Sequence, residues 1–492
     1  MFKTAQLESV KAWISDPAHA AQSLHVRIQR AIRQLILDGA LTVGKPLPAT
    51  RPLARSLGVS RDTVEAAYGQ LHAEGFIERQ VGSGSFVSER IRHLPARKPS
   101  PSRASATQPE LSRRGAAIYR DGGVHNFQYP RPFAPGVAET RNFPLAIWER
   151  LQRQVIKEHG SRALLHSAPQ GMEVLRSAIA DYLNLERGAR ASADRVLILT
   201  SSQQALGLSA NVLMDAGERV LVEDPMYHGA RKAIDAAGLE CVAIPVDRDG
   251  MQVELMLERA GDARAVFLTP SHQFPSGTTL SLDRRLAVIE WARRQRAWII
   301  EDDYDSEFHY EGRPTACVQG LDPHERTLYI GTFTKSMFPG LRIGYMVLPP
   351  QLVGPMTAAR TLQDGHPPSL SQLTLARFIE GGHLGAHVRT MRSLYAARRD
   401  ILGELLDRHL SDFLAPRLPA GGMQMPCFFT RPMDEQALVK AARAVDVDLL
   451  GMGSLHAQPR NDAGLLMGFA AHTPAELADA VKRLKHVLRK MA

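Results

Sequence analysis

The most reactive arrangement of residue types in the chain lies in GTFTKSMFPGLRIGY (331–345). Lys335 is flanked by hydroxyls, and Arg342 follows seven residues later. That pattern suits a phosphorylated aldehyde, with Lys335 as the amine of a Schiff base. Thr332, Thr334 and Arg342 would hold the phosphate, the arginine through charge-assisted hydrogen bonds. Taken alone, Lys335 reads as a solvated lysine beside a loop, so its neighbours matter. WIIEDDYDSEF (298–308) ends an apolar run with carboxylates and a tyrosine. A buried carboxylate there would keep a pyridine nitrogen protonated, and Tyr304 would donate to a ring phenolate oxygen. Glu301, Asp302, Asp303 and Asp305 also resemble a divalent-metal cluster. No histidine is placed with them and the lysine motif explains the site better, so no metal is expected.

Three further segments carry polar groups of the right kind. LTSSQQALGL (199–208) puts the backbone N–H groups of Ser202 and Gln203 at a helix start, a seat for phosphate. A simple serine cap explains the same residues, and both can hold together. VEDPMYHGA (222–230) places Tyr227 where it stacks on a flat ring or serves as a core tyrosine. TPSHQFPSG (269–277) supplies a turn of Pro, Ser and Gly.

These segments need elements to position them. Short apolar runs at 195–200, 219–224, 264–270, 297–302 and 327–332 alternate with helical patterns such as Gln203–Met214 and Asp283–Arg296. Such alternation predicts an α/β domain with a mostly parallel sheet. Ligands of such sheets gather at the carboxyl ends of the strands, where the polar clusters stand.

The first ninety or so residues follow a different pattern. Leu24, Ile28, Ile32, Leu35 and Ile36 recur at helical spacing, and Gly39 closes that helix. LPATRPLARSLGVS predicts a second helix and a turn through Gly58. Ser60 is an N-cap for a third helix with Val64, Ala67, Tyr68 and Leu71 inward and Arg61, Asp62 and Thr63 in its exposed first turn. FIERQVGSGSFVSE reads as a hairpin turning at Gly82-Ser83-Gly84. Three helices and a glycine-tipped hairpin make a winged helix-turn-helix, although a small bundle would share the helical pattern. The third helix suits the major groove, with Arg61 at a guanine or a phosphate and Thr63 at a phosphate.

The 492 residues allow two to four domains, and 44% hydrophobic with 23% charged residues is ordinary for a globular protein. A net charge of +9 suits an anionic partner such as nucleic acid, although an arginine-rich composition would produce it too. Cys241, Cys317 and Cys427 are scattered and odd in number, which argues against a disulfide framework or zinc site and fits a reducing cytoplasm. No apolar stretch approaches a membrane span, and no signal core opens the sequence. The expected location is the cytoplasm, at the nucleoid.

The N-terminal motifs LP-T-R-LA-LGVSR-TV, LHAEGFIER and GSGSFV resemble the GntR superfamily. That likeness implies DNA contacts at Arg51, Ser60, Arg61, Thr63 and Gly84. APQG, SSQQAL, VEDPMY, TPSHQFPSG, IIEDDYDSEF, GTFTKSMFPGLR and LLMGFA resemble, in order, the fold-type I aminotransferases. The whole is similar to the MocR subfamily of GntR regulators. The resemblance implies a winged helix-turn-helix over 20–88, a flexible basic linker over 89–124, and an aminotransferase-like effector and dimerisation domain over 125–492. It implies pyridoxal 5'-phosphate as cofactor. Lys335 would carry the Schiff base, Asp302 would face the ring nitrogen, Tyr304 the phenolate oxygen and Arg342 the phosphate. Asp302 is chosen over Asp303 on its spacing to Lys335. Partners implied are operator DNA, a small-molecule effector, and a second copy in a head-to-tail, domain-swapped homodimer.

Four positions depart from the aminotransferase pattern. Leu466 stands where an arginine usually clamps the substrate carboxylate, and Arg460 is off register. Phe274 replaces an asparagine, leaving His272 or Gln273 to substitute. His166 replaces a tyrosine, and Ser201 replaces a glycine in the phosphate loop. These departures leave cofactor binding intact and weaken the case for catalysis. The expected function is a cofactor-binding transcription regulator whose effector is the cofactor itself or an amino compound. The competing function is a working aminotransferase with an appended DNA-binding domain.

Overall fold

The computed structural model describes residues 4–80, 83–93, 111–124, 130–311, 315–461 and 463–491. Gly82 and the stretch 94–110 of the expected linker lie outside the described residues. The chain divides into two compact units, Met1–Glu110 and Leu111–Ala492.

The first unit holds helices α1 (Thr4–Ser15), α2 (Leu24–Leu37), α3 (Thr50–Leu57) and α4 (Arg61–Ala73), then strands β1 (Ile77–Gln80) and β2 (Gly84–Val87). Three of the helices and the hairpin follow the apolar spacing. Helix α1 is an addition that the sequence reading left without structure. Its Val10 is fully buried in one core with Ile28, Ile32, Val64, Ala67, Tyr68 and Leu71, and Leu7, Trp13 and Ile14 pack against it. Helix α3 ends on Gly58 in the left-handed conformation (φ 68°), which turns the chain toward α4. The Tyr68 hydroxyl donates to the Pro48 carbonyl at 2.8 Å, locking α4 to the segment before α3.

The second unit is built on an eight-stranded sheet. Its strands are β3 (Val196–Leu199), β4 (Arg219–Asp224), β5 (Glu240–Asp247), β6 (Gly250–Met251), β7 (Ala265–Leu268), β8 (Trp298–Asp303), β9 (Thr327–Thr332) and β10 (Gly344–Val347). The spatial order is β3-β10-β9-β8-β7-β4-β5-β6. Strands β5, β4, β7, β8 and β9 pair in parallel, and β10 is antiparallel to both neighbours. The mostly parallel α/β architecture expected from the alternating runs is therefore present. Both sheet faces are covered, which is why β3, β7 and β9 are buried along their whole lengths. A second sheet follows, of β11 (Leu414–Pro416), β12 (Gln424–Phe429), β13 (Leu450–Gly451) and β14 (Leu465–Gly468), in the antiparallel order β11-β12-β14-β13. Its apolar face packs on the long helices His383–Leu410 and Pro474–Met491.

Within the expected linker, residues Arg113–Asp121 form a helix capped by Ser112, whose hydroxyl accepts from the Gly115 N–H at 3.0 Å. Arg114 anchors it to the second unit by donating to the Ala236 carbonyl (2.6 Å) and to Asn211 (2.8 Å). Composition gave no periodic signal there, because one arginine's contacts rather than an apolar stripe hold the helix.

Candidate functional site

The parallel strands deliver five polar segments to one rim of the large sheet. In register, Leu199, Gly344 and Thr332 stand side by side on β3, β10 and β9. Ser202 and Gln203 follow β3, Thr334 and Lys335 follow β9, and Arg342 lies just before β10. Asp303 at the end of β8 is level with Gly331, and Tyr227 follows the end of β4. Most sequence-predicted residues of the large unit thus come together because each sits at a strand's carboxyl end or the start of its antiparallel neighbour.

Lys335 lies on the short helix Phe333–Ser336, half-buried, and its ammonium donates to the Gly136 carbonyl. Burial pulls its pKa below the ordinary lysine value, against the opposing pull of Asp305 and Asp302. Gly136 has φ +67°, and a Cβ there would stand 3.0 Å from the lysine nitrogen. Sequence reading missed Gly136. Its only signal was a glycine after a proline in a loop.

The adjacent carboxylates divide sharply. Asp303 accepts from the Arg187 guanidinium at 2.9 Å and from the Tyr329 hydroxyl at 2.6 Å. Asp305 pairs with His272 at 2.8 Å. Both oxygens of Glu301 accept backbone N–H groups, from Val318 (2.8 Å) and Gln319 (2.9 Å). Asp302 is also buried, and its Oδ1, like that of Asp303, has no hydrogen-bond partner; the two differ in that Arg187 and Tyr329 engage the other oxygen of Asp303. Burial, with help from Asp303 and Asp305, pushes its pKa up to about 7, and Lys335 pulls the other way. Glu223 at the end of β4 is pushed up to about 7 by burial as well, although Thr269 donates to it at 2.6 Å.

The phosphate-type ligands group on the other side. Ser201 caps the helix Ser202–Leu213 by accepting from the Gln204 N–H at 3.3 Å. Its hydroxyl is therefore turned to the helix start. Gln203 donates to the Gly229 carbonyl at 2.9 Å and keeps a buried Oε1 without a partner. Gly229 permits that closeness, since a Cβ would lie 2.4 Å from the Tyr227 ring and 2.7 Å from the Gln203 oxygen. The Thr332 hydroxyl accepts from the Thr334 N–H (3.2 Å) and donates to its hydroxyl (3.0 Å). Arg342 is exposed, left-handed at φ 54°, and pairs with no anion among the described residues.

An orphaned buried carboxylate, a lysine with only a carbonyl to donate to, and an unpaired arginine share one rim. They match a pyridinium nitrogen, an aldehyde carbon and a phosphate. The residues present fit pyridoxal 5'-phosphate.

The departures have distinct outcomes. Leu466 on β14 is fully buried and clusters with Phe274, Met452 and Leu455, with Tyr227 and Tyr304 packed against them. Neither proposed substitute replaces the missing asparagine. His272 is held by Asp305, and Gln273 is spent on Glu223, the Pro225 carbonyl (2.8 Å) and the Phe274 carbonyl (2.6 Å). His166 is exposed and sits 2.8 Å, nitrogen to nitrogen, from His366, which also meets Ser167 at 3.0 Å.

In the first unit Ser60 accepts from the Thr63 N–H at 3.1 Å, and the two hydroxyls are 2.7 Å apart. Arg51 and Arg61 are exposed and form no ion pair among the described residues. Gly84 opens β2 at φ +105°, exposed at the hairpin. Arg79 on β1 ties that hairpin to Glu65 of α4 at 2.7 Å.

Residues 24–87 match the model of bacterial regulatory proteins of the gntR family, and residues 138–484 match aminotransferase class I and II. The chain is 35% identical to the probable rhizopine catabolism regulatory protein MocR of Rhizobium meliloti, over 94% of this chain and 93% of that one. It is 30% identical to the pyridoxine biosynthesis transcriptional regulator PdxR of Corynebacterium glutamicum, over 94% and 97%. Among solved structures it is similar to the kynurenine aminotransferase of Pyrococcus horikoshii in complex with PMP. That match has TM-score 0.69 and 26% identity, over 78% of this chain and 95% of that one.

Proposed function

The chain belongs to the MocR family of regulators, a gntR-type DNA-binding domain fused to an aminotransferase class I and II domain, and on that premise we propose that it regulates transcription through pyridoxal 5'-phosphate held by its aminotransferase-like domain. The observation that carries this reading is the unpartnered, buried Oδ1 of Asp302 beside Lys335. When bound, the cofactor supplies an aldehyde for an amine and a ring that withdraws electrons. Lys335 would hold the aldehyde carbon. Asp302 would keep the ring nitrogen protonated, and Tyr304 would donate to the phenolate oxygen. Tyr227 would stack on the ring. Ser202, Gln203, Thr332, Thr334 and Arg342 would hold the phosphate.

DNA binding is assigned to 20–88 and sensing to 125–492, joined by 89–124. Arg51, Ser60, Arg61, Thr63 and Gly84 would meet the operator. The effector, the cofactor itself or an amino compound, would bind two arrangements of the protein unequally and so shift operator affinity. The competing reading of a working aminotransferase is disfavoured by the apolar residues around Leu466, which leave a substrate carboxylate unpaired.

A homodimer is supported by leucines left bare on two adjoining segments: Leu164 is 81%, Leu165 64% and Leu362 90% exposed. His166 and His366 meet at 2.8 Å, which joins the chain after Leu165 to the chain after Leu362. The test of the cofactor reading is the visible absorbance of the purified chain mixed with pyridoxal 5'-phosphate. A protein-bound band is expected, lost in Lys335→Ala. A parent protein without such a band defeats the proposal.

A further inference from the structure

The apolar cluster around Leu466 lies against the two tyrosines of the proposed cofactor site. Phe274 sets its ring edge-on to Tyr227 (centroids 5.5 Å apart) and to Tyr304 (6.2 Å). Leu466, Met452 and Leu455 complete that wall, with Leu466 itself wholly buried. The segment carrying Leu455 is bound directly to the strand end that carries Tyr227. The Met226 N–H donates to the Leu455 carbonyl at 3.1 Å, and the Ala457 N–H to Asp224 at 2.9 Å.

The cations that approach this side are already engaged. Arg231 donates to the carbonyls of His456 (2.9 Å) and Ala457 (3.1 Å). His456 pairs with Asp224 at 3.3 Å, and His272 with Asp305. Arg187 is held by Asp303 and by Ser271 at 2.7 Å. The side-chain amide of Gln273 is turned to Glu223 and to backbone carbonyls rather than outward. A carboxylate brought against this wall would lose its water and find these cations already engaged, while Arg342, unpaired on the rim, is assigned to the cofactor phosphate in the reading above.

We propose that Leu466 and Phe274 are specificity-determining residues. They close the site to amino carboxylates and leave it open to primary amines whose tail carries no acid group. The inference rests on the cofactor reading above and narrows the class of effector.

The test uses the full chain loaded with pyridoxal 5'-phosphate and titrated separately with L-alanine and ethylamine, which differ by one carboxylate. The readouts are the visible spectrum and the affinity for operator DNA. The wild-type chain should respond to ethylamine at concentrations at least ~10-fold lower than to L-alanine. Leu466→Arg should reverse that order. An equal or stronger wild-type response to L-alanine overturns the inference, and so does silence toward both ligands. The wild-type comparison stands without the variant, so a Leu466→Arg chain that fails to fold leaves the inference open to refutation. A chain that shows no cofactor band before any amine is added refutes the cofactor reading instead, which separates the two failures.

Discussion

Asp302 and Asp303 are neighbours of the same chemical type with opposite electrostatics. Asp303 is held below the ordinary carboxylate range, burial being outweighed by Arg187 and Tyr329. Asp302, Glu223 and Glu301 are each raised to about 7, burial being the largest cause. A carboxyl whose folded pKa is raised keeps its proton where the unfolded chain has lost it. Its contribution to stability is therefore complete below the unfolded pKa near 4 and is lost as pH rises through 7. The thermal midpoint of the cofactor-free chain should fall as pH rises from about 4 to 7, and Asp302→Asn should flatten that fall. Addition of pyridoxal 5'-phosphate should flatten it too, because a pyridinium facing Asp302 favours the carboxylate. An identical slope in wild type and Asp302→Asn would place the pH dependence elsewhere.

At the scale of elements, α4 depends on its first turn. Ser60 accepts from the Thr63 N–H, and losing such a cap costs about 1 kcal/mol of helix stability. Ser60→Ala should lower operator affinity and the stability of the winged helix together. Arg61→Ala should leave stability alone, because Arg61 is exposed and makes no ion pair among the described residues. Its loss should weaken operator binding by about 1–3 kcal/mol if it reads a base, with the change confined to particular sequences. Gel-shift titrations on the cognate and a scrambled operator separate the two cases. A uniform loss on both DNAs, with a shallower salt dependence, would mean a phosphate contact instead.

At the scale of the molecule, the leucines at 164, 165 and 362 are left largely exposed, and such bare apolar side chains suit a second copy of the chain. Leu362→Glu should shift the chain toward monomers in sedimentation experiments at micromolar concentration. It should also weaken binding to an operator with two half-sites more than binding to one half-site, since a dimer reads both at once. An unchanged sedimentation coefficient would move the dimer interface away from this face.

Much of this protein was legible in order along the chain. Winged-helix residues such as Val64, Ala67, Tyr68 and Leu71 repeat at helical spacing, and each apolar strand is followed by its polar cluster. Local periodicity fixes which faces are buried, and parallel strands must put their carboxyl ends on one rim. Lys335 could therefore be grouped with Asp302 and Tyr304 before any coordinates. Helix α1 was left without structure although Leu7, Val10 and Ile14 stand at helical spacing on its packed side, and the helix Arg113–Asp121 was not legible because Arg114 holds it through Ala236 and Asn211, far along the chain. The choice of Asp302 over Asp303 rested on spacing to Lys335 alone, and spacing says nothing of what engages each carboxylate. Arg187, more than a hundred residues earlier, claims one of them and leaves the other unpaired. The sequence could show that Leu466 replaces an arginine. Only the tertiary structure decided that Arg187, Arg231, His272 and Gln273 do not supply the missing contact, because it commits them to other partners. Residue order sets periodicity and chemistry, whereas the engagement of a side chain depends on contacts between segments that meet only after folding.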